Sequence, residues 1–258
     1  MTTNNIIGVV GGVGPQAGLD LVQKIFDQTI ASSDQEHIPV MLISHPDQIA
    51  DRTAFITGKS STNPAYAIAS ILQQLETAGA TVAGIACKAA HAPKIFDVIR
   101  DEMSHWNSRL HLLHMIEEVA RYLKETYPGV RCVGLISTLG TARARVYQGI
   151  LEPKGYKVIA PSEEHQLNVI HQAIYDSEFG IKSKSHPVTE KARTALINAT
   201  RTLIQRGAEA VILGCTEVPL AIPESHVEGV PAVDSTLILA RALIREACPD
   251  KLRPLAIT

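Results

Sequence analysis

The sequence predicts an α/β fold of two pseudosymmetric three-layer halves, each with a mainly parallel four-stranded sheet, and a cleft between the halves. Two internal similarities carry this prediction. The segment 79–87 is similar to the segment 207–215, and both end in cysteine. The glycine-containing segment 8–14 is similar to the segment 134–140 at nearly the same offset. Short apolar runs also alternate with helical segments, which is typical of parallel sheets covered by helices on both faces.

The first half begins with an apolar run over 6–10 that glycines end, which predicts a strand. Pro15 follows Gly14 and suits the first turn of a helix over 16–30. A second helix begins at Pro64, carries apolar residues at helical spacing from Ile68 to Leu75, and stops before Gly79. Three further strands are predicted over 39–44, 82–86 and 110–115, a polar loop over 47–61 and a helix over 117–126.

The pattern restarts after residues 127–129, where we expect the domain boundary. Strands are predicted over 130–136, 156–159 and 210–213. A loop over 137–141 is followed by a helix to about residue 152, further helices are predicted over 163–175 and 189–206, and a polar loop over 177–187. The last helix, over 236–247, is expected to pack back onto the first half. The predicted domains are therefore 1–127 plus 236–258, which carries Cys87, and 128–235, which carries Cys215.

Composition excludes several classes of protein. The chain has 258 residues, a net charge of −2 and no long run of one sign, which argues against a general nucleic-acid or anionic-membrane surface. No stretch approaches the ~18 apolar residues of a membrane span, and the first residues lack the basic region of a signal peptide. Four cysteines without Cys-x-x-Cys spacing are too few for a disulfide framework. We expect a cytoplasmic protein with reduced thiols.

Two cysteines are candidate functional residues because of where they lie. Ligands of open parallel sheets bind beyond the carboxyl ends of the strands, and Cys87 and Cys215 follow predicted strands at matched positions. A buried cysteine can also be a small core hydrophobe, the interpretation that fits Cys132 and Cys248 better. A thiol acts as a base only as thiolate, and Lys88 and His91 are candidate sources of positive potential near Cys87, or alternatively a solvated lysine and a core histidine.

The motifs at these positions resemble the cofactor-independent aspartate/glutamate racemases. They are Gly11-Gly12-Val13-Gly14-Pro15, Ala86-Cys87-Lys88-Ala89-Ala90-His91 and Gly214-Cys215-Thr216-Glu217. The resemblance implies two pseudosymmetric α/β domains with a small acidic amino acid bound between them. It also implies a homodimer, no pyridoxal phosphate, no metal, and a catalytic pair in which one of Cys87 and Cys215 is the acid and the other the base.

The resemblance also implies the substrate-binding residues. Arg52, in Asp51-Arg52-Thr53, is similar to an arginine that meets a substrate carboxylate, and Lys182 is similar to a lysine of the second half that approaches the same group. The other candidate substrate-binding residues belong to the three motifs and to the second-half hydroxyl loop: Val13, Gly14, Pro15, Lys88, Ala89, Ala90, Thr138, Thr216 and Glu217.

One departure from the family pattern bears on function. Lys88 and Ala89 stand where the family usually has asparagine and threonine, which contact the substrate amino and carboxylate groups. A hydrogen bond to a charged partner contributes about 1.5–3 kcal/mol, so the exchange could change specificity or weaken amino-acid binding. The sequence therefore predicts an aspartate or glutamate racemase with altered specificity, and leaves open a non-catalytic or weakly active carboxylate-binding relative.

Two other kinds of site fit the sequence less well. The segment 12–17 matches the dinucleotide pattern G-x-G-x-x-A, but Asp34 precedes the next strand and Asp47 lies too far along the chain to be the ribose-binding acid. His111 and His114 lie three residues apart without a supporting pattern of carboxylates or cysteines, which argues against a metal site. We expect neither cofactor nor metal.

Overall fold

The computed structural model describes residues 5–255 and contains two mainly parallel sheets covered by helices. The elements of the first half are β1 (Ile6–Val10), α1 (Pro15–Asp27), β2 (Val40–Ile43), α2 (Arg52–Ile56), α3 (Ala65–Thr77), β3 (Ala80–Ile85), α4 (Pro93–His105), β4 (His111–Leu112) and α5 (Met115–Thr126). The first sheet has the strand order β2-β1-β3-β4, and all its strand pairs are parallel.

The second half repeats this arrangement and extends it. Its elements are β5 (Cys132–Ser137), α6 (Leu139–Arg143), α7 (Val146–Leu151), β6 (Lys157–Ile159), α8 (Glu163–His165), α9 (His171–Tyr175), α10 (Glu190–Gln205), β7 (Ala210–Gly214), α11 (Val218–Ala221), β8 (His226–Val227), β9 (Val230–Asp234) and α12 (Ser235–Ala247). The strand order is β6-β5-β7-β9-β8, with β8 antiparallel at the edge. The first four strands follow the same order as in the first sheet, which is the structural form of the duplication seen in the sequence.

The predicted strands and most predicted helices are confirmed, with differences of a few residues at their ends. The strand predicted over 110–115 is only His111–Leu112, and the polar loop over 47–61 contains the short helix α2. The loop predicted over 137–141 already contains the start of α6, and the helix predicted from there to about residue 152 is interrupted between α6 and α7, where Arg145 adopts φ 50°. Helix α4 and strands β8 and β9 were not predicted, so the second sheet has five strands instead of the expected four.

Two helices join the halves. Helix α12 packs against α1 and β3 of the first half, and its Leu239 and Leu243 belong to the core around the first sheet. Its Ile238 belongs to the core around β5 and β7 instead. Helix α5 is shared in the same way, with Met115 in the first core and Ile116 in the other. The division into 1–127 plus 236–258 and 128–235 remains a proposal, since α5 and α12 each serve both cores.

The described part of the chain has neither a membrane helix nor a cluster of metal ligands. None of its helices has the length and apolar character needed to cross a bilayer. Nor do the histidines, cysteines, aspartates and glutamates among residues 5–255 form a group of three or more with metal-binding geometry.

Candidate active site

The two candidate cysteines lie at equivalent places in the two sheets. Cys87 follows β3 and Cys215 follows β7, and each of these strands is third in its sheet order. Both residues are buried, with exposed fractions of 8% and 4%. Both residues also line one cavity between the halves, so they do not lie wholly within the hydrophobic cores. This arrangement brings together two thiols that are far apart in the sequence.

The cavity has a volume of about 30 Å³ and contains most of the predicted site residues. Those that line it are Val13, Arg52, Cys87, Lys88, Ala89, Thr138, Lys182, Cys215, Thr216 and Glu217. Gly14 lies beside it, since a Cβ atom there would be 2.8 Å from Glu217 Oε1. Pro15 is exposed and Ala90 is fully buried, and neither lines the cavity. Larger open grooves of about 810 and 990 Å³ lie elsewhere on the surface, but neither contains a thiol.

The second-half thiol is held by a carboxylate. Cys215 Sγ donates to Glu217 Oε2 at 2.9 Å, Thr216 Oγ1 donates to the same oxygen at 3.0 Å, and Lys182 Nζ lies 2.5 Å from Glu217 Oε1. Burial on its own would raise the pKa of Glu217, but Lys182 and the hydrogen bonds hold that pKa at about 2. Burial raises the pKa of Cys215, and the Glu217 carboxylate raises it further. Cys215 is therefore a thiol at neutral pH, ready to act as an acid.

The first-half thiol lies beside a fixed arginine. Asp51 caps α2 by accepting a hydrogen bond from Ala54 N at 2.6 Å, and this fixes the start of the helix that carries Arg52. Arg52 Nη1 donates to Ala50 O at 3.2 Å and Nη2 donates to Val13 O at 2.5 Å. Its Nε is buried and has no partner among residues 5–255. Burial lowers the pKa of Arg52, but the neighbouring Cys87, Asp51 and Tyr175 outweigh burial and raise it.

The residues after Cys87 have different surroundings. Lys88 is 2% exposed, and its Nζ donates to Thr236 Oγ1 at 3.1 Å. Burial lowers the pKa of Lys88 despite the neighbouring Asp234. His91 points away from the thiols: its Nδ1 lies 2.8 Å from Cys87 O and its ring stacks on Phe96. Burial lowers the pKa of His91 well below its usual value, so His91 is neutral and supplies no positive charge to the thiolate.

Sequence reasoning missed several lining residues. Thr53 Oγ1 and Tyr175 OH are 3.5 Å apart and face each other across the two halves. Burial raises the pKa of Tyr175 to about 12, so its hydroxyl stays protonated and can donate a hydrogen bond. Thr53 could have been found because it adjoins Arg52. Thr141, which the sequence places beside Thr138 in the second-half hydroxyl loop, also lines the cavity. No local signal marks Tyr175, which reaches the cavity from the end of α9.

The arrangement is suited to moving a proton on an anionic small molecule. It offers two sulfurs, three basic side chains (Arg52, Lys88 and Lys182), and hydroxyl groups from both halves. The cavity is small, with a volume of about 30 Å³.

Comparison with known proteins assigns the chain to a family. The sequence model of the Asp/Glu/hydantoin racemase family matches residues 10–243. An aspartate racemase from Picrophilus torridus is 28% identical, with a TM-score of 0.78 and 96% of each chain covered. A putative Asp/Glu racemase from Yersinia pestis is 25% identical, with a TM-score of 0.74, covering 94% of this chain and 99% of that one.

A more distant structure shows the same fold. Glutamate racemase from Francisella tularensis, solved with D-glutamate, is 15% identical with a TM-score of 0.64, covering 98% of this chain and 84% of that one. At this identity the likeness concerns the fold alone. The family match, in contrast, extends over nearly the whole sequence, including both cysteine motifs. The chain therefore belongs to the Asp/Glu/hydantoin racemase family, whose membership supports a racemase role.

Proposed function

We propose that the protein interconverts the L and D forms of aspartate or glutamate by proton transfer between two thiols, without a cofactor. The observation that carries this proposal is that Cys87 and Cys215, at equivalent strand ends, line one cavity between the halves. The likeness to the Picrophilus torridus aspartate racemase supports an acidic amino acid as substrate.

In the proposed cycle, one cysteine as thiolate removes the α-proton of the substrate. The C–H electron pair remains on the substrate and spreads into the α-carboxylate. The opposite cysteine, as thiol, then gives its proton to the other face of the same carbon, so one thiol and one thiolate remain after each turnover with their positions exchanged. The surroundings of the two thiols differ, since Cys215 is protonated and Arg52 lies beside Cys87. This difference fits Cys87 as the thiolate in one direction of the reaction.

Two basic residues hold the carboxylates in this proposal. Arg52 is fixed by backbone acceptors and keeps a buried Nε that has no partner among the described residues, so it can meet a carboxylate without losing its own support. Lys182 is paired with Glu217 and would share its ammonium with a substrate carboxylate. The hydroxyls of Thr138 and Tyr175 are further donors on the cavity wall.

The test is racemisation of purified protein with no added cofactor, followed by chiral separation of the amino acids and by deuterium uptake at Cα in heavy water. Positioned acid–base groups contribute about 10²–10⁴-fold, so Cys87→Ala and Cys215→Ala should each lose at least ~10²-fold. Cys132→Ala is the matched control, because Cys132 is partly buried outside the cavity. Wild-type exchange rates in both cavity variants would show that the two-thiol mechanism is wrong.

A second candidate is a carboxylate-binding relative with little or no turnover. Lys88 and Ala89 in the cavity wall keep this alternative open, since they replace the side chains that the family usually presents. Thermal shift with aspartate and glutamate, measured beside the racemisation assay, separates the two. Stabilisation by these amino acids without exchange at Cα would favour the binding protein. The expected homodimer remains a prediction under either function.

A further inference from the structure

Lys88 is a buried lysine that has no carboxylate partner in the described part of the chain. There its Nζ donates to Thr236 Oγ1 alone, at 3.1 Å. The neighbouring acids are already paired: Asp234 lies 2.7 Å from Lys24, and Glu217 lies 2.5 Å from Lys182. No ion pair of Lys88 occurs among residues 5–255. Burying an ammonium group without an anion is costly, and burial accordingly lowers the pKa of Lys88, so an anion that forms in the cavity would draw Lys88 into its charged form.

The cavity offers two kinds of transient anion, a substrate carboxylate and a thiolate. Aspartate and glutamate have two carboxylates, and Arg52 and Lys182 already supply two cations that line the cavity. A third cation has no carboxylate left to meet. Cys87 has Arg52 beside its sulfur. Cys215, in contrast, is hydrogen-bonded to a carboxylate, which opposes the thiolate that it must become when it acts as the base.

The charges around Lys88 agree with a role toward Cys215. Burial and Glu217 raise the pKa of Cys215, while Lys182 and Lys88 lower it. In return, a charge on Cys215 raises the pKa of Lys88, which burial lowers. Lys88, Cys215 and Glu217 line the same cavity, and the charged and titratable groups that influence the pKa of Lys88 come from α1, from the start of α12 and from the loop after β7. They are Lys24, Asp20, Asp234, Cys215 and Glu217.

We propose that Lys88 is a positioning residue that acts through Cys215, stabilising its thiolate in the direction of turnover in which Cys215 is the base. This inference rests on the proposed two-thiol function. Although Lys88 follows Cys87 in the sequence, it would serve the thiol of the other half, while Arg52 serves Cys87. Each thiol would then have its own cation, and both thiol–cation pairs would lie in the same cavity.

The experiment measures thiolate at Cys215 directly and needs no turnover. Folded protein is treated with iodoacetamide at mildly alkaline pH, and the alkylation rate of each cysteine is followed by peptide mass spectrometry. The variants are Lys88→Met, which removes the charge at similar volume, and Lys88→Arg, which retains it. Cys132 in the same sample is the internal reference, and Lys184→Met, an exposed lysine in the loop of Lys182, is the matched control.

We expect Lys88→Met to slow alkylation of Cys215 at least tenfold relative to Cys132, since one pKa unit is a tenfold change in thiolate. Lys88→Arg should restore most of the rate, and Lys184→Met should leave it unchanged. An unchanged rate in Lys88→Met, or no alkylation of Cys215 in the wild type, would overturn the proposal. Succinate binding to Lys88→Met is measured as well. Weaker succinate binding with an unchanged alkylation rate would also overturn the proposal, because Lys88 would then serve a substrate carboxylate. If the protein shows no racemisation but the alkylation rates change as expected, the proposed function is rejected and the effect of Lys88 on the Cys215 thiolate remains established.

Discussion

At the scale of single residues, Glu217 determines the chemistry of the second-half thiol. It accepts hydrogen bonds from Cys215 and Thr216 through one oxygen and forms an ion pair with Lys182 through the other. Its side chain is only 5% exposed. Removing one partner of a buried ion pair leaves the other charge uncompensated, so Glu217 contributes to stability. It also helps to keep Cys215 protonated.

We expect Glu217→Gln to lower the free energy of unfolding at neutral pH by about 3 kcal/mol, the usual cost of breaking a buried pair. The pKa of Glu217 is about 2 in the folded protein and 4.5 ordinarily. Its ionisation therefore stabilises the fold fully above pH 4.5, and this contribution is lost as the pH falls toward 2. Urea unfolding at neutral pH and near pH 3 should show the difference between variant and wild type narrowing in acid.

The matched control is Glu163→Gln, which breaks an exposed ion pair with Arg143. Surface pairs contribute about 0–1 kcal/mol, so this variant should differ little from the wild type at either pH. An equal loss in both variants would mean that the Glu217 network contributes no more than a surface pair.

At the scale of elements, α2 of the first half packs on α6 of the second half beside the cavity. Helix α2 begins at Arg52, and its second residue, Thr53, packs on Gly140 of α6. A Cβ atom at Gly140 would lie 2.7 Å from Thr53 Oγ1 and 3.0 Å from its Cα. The glycine is therefore needed for the close approach of one half to the other at the site.

We expect Gly140→Ala to move α2 outward, to cost about 1–3 kcal/mol of stability as overpacked contacts do, and to raise the KM for the substrate because Arg52 moves with α2. Gly149→Ala is the matched control, since Gly149 lies in helix α7 and its Cβ would meet nothing within 4 Å. Alanine there should leave KM unchanged and stabilise the helix by up to about 1 kcal/mol. Chemical unfolding measures the stability of the two variants, and steady-state kinetics measures their KM. Identical behaviour of the two variants would contradict the close packing at Gly140.

At the scale of the whole molecule, α5 and α12 connect the two cores. Met115 and Leu239 belong to the core of the first sheet, while Ile116 and Ile238, on the same two helices, belong to the core beside the second. Because neither half can lose these helices without exposing apolar surface, we expect the halves to unfold together.

The single tryptophan makes this expectation measurable. Trp106 follows α4 of the first half, and its Nε1 donates to Glu76 Oε2 at 2.8 Å. Its fluorescence reports the first half, whereas far-UV circular dichroism reports helices of both. We expect coincident urea transitions by the two probes. A fluorescence transition at lower urea, with helical signal remaining, would show that the halves unfold separately.

A variant of α12 tests the same coupling. Leu239 is fully buried, so Leu239→Ala should cost about 2–5 kcal/mol and shift both probes by the same amount. Leu19→Ala is the control, since Leu19 on α1 is 53% exposed and should change stability by no more than about 0.5 kcal/mol. A shift of the fluorescence transition alone would place α12 in the first half only.

Much of the fold could be predicted because its signals are local. An apolar run ended by glycines gave β1, an apolar run ending at Cys87 gave β3, and residues at helical spacing gave α3. Helix α4 has such a signal as well, with Pro93 at its start and Ile95, Ile99 and Met103 buried, although it was not predicted. Strand β9 was missed because Val230–Asp234 contains a proline and follows a turn, and only its pairing with β7 makes it a strand.

The sequence by itself determined the two-half α/β plan and the placement of both cysteines at strand ends, because strand periodicity and repeated motifs lie within short segments. Only the tertiary structure decided which side chains meet at the site. Lys88 reaches Thr236, 148 residues along the chain, and Thr53 reaches Tyr175, 122 residues away. Such contacts depend on how the two sheets and the shared helices pack, and no local pattern encodes the distance between groups so far apart in the chain.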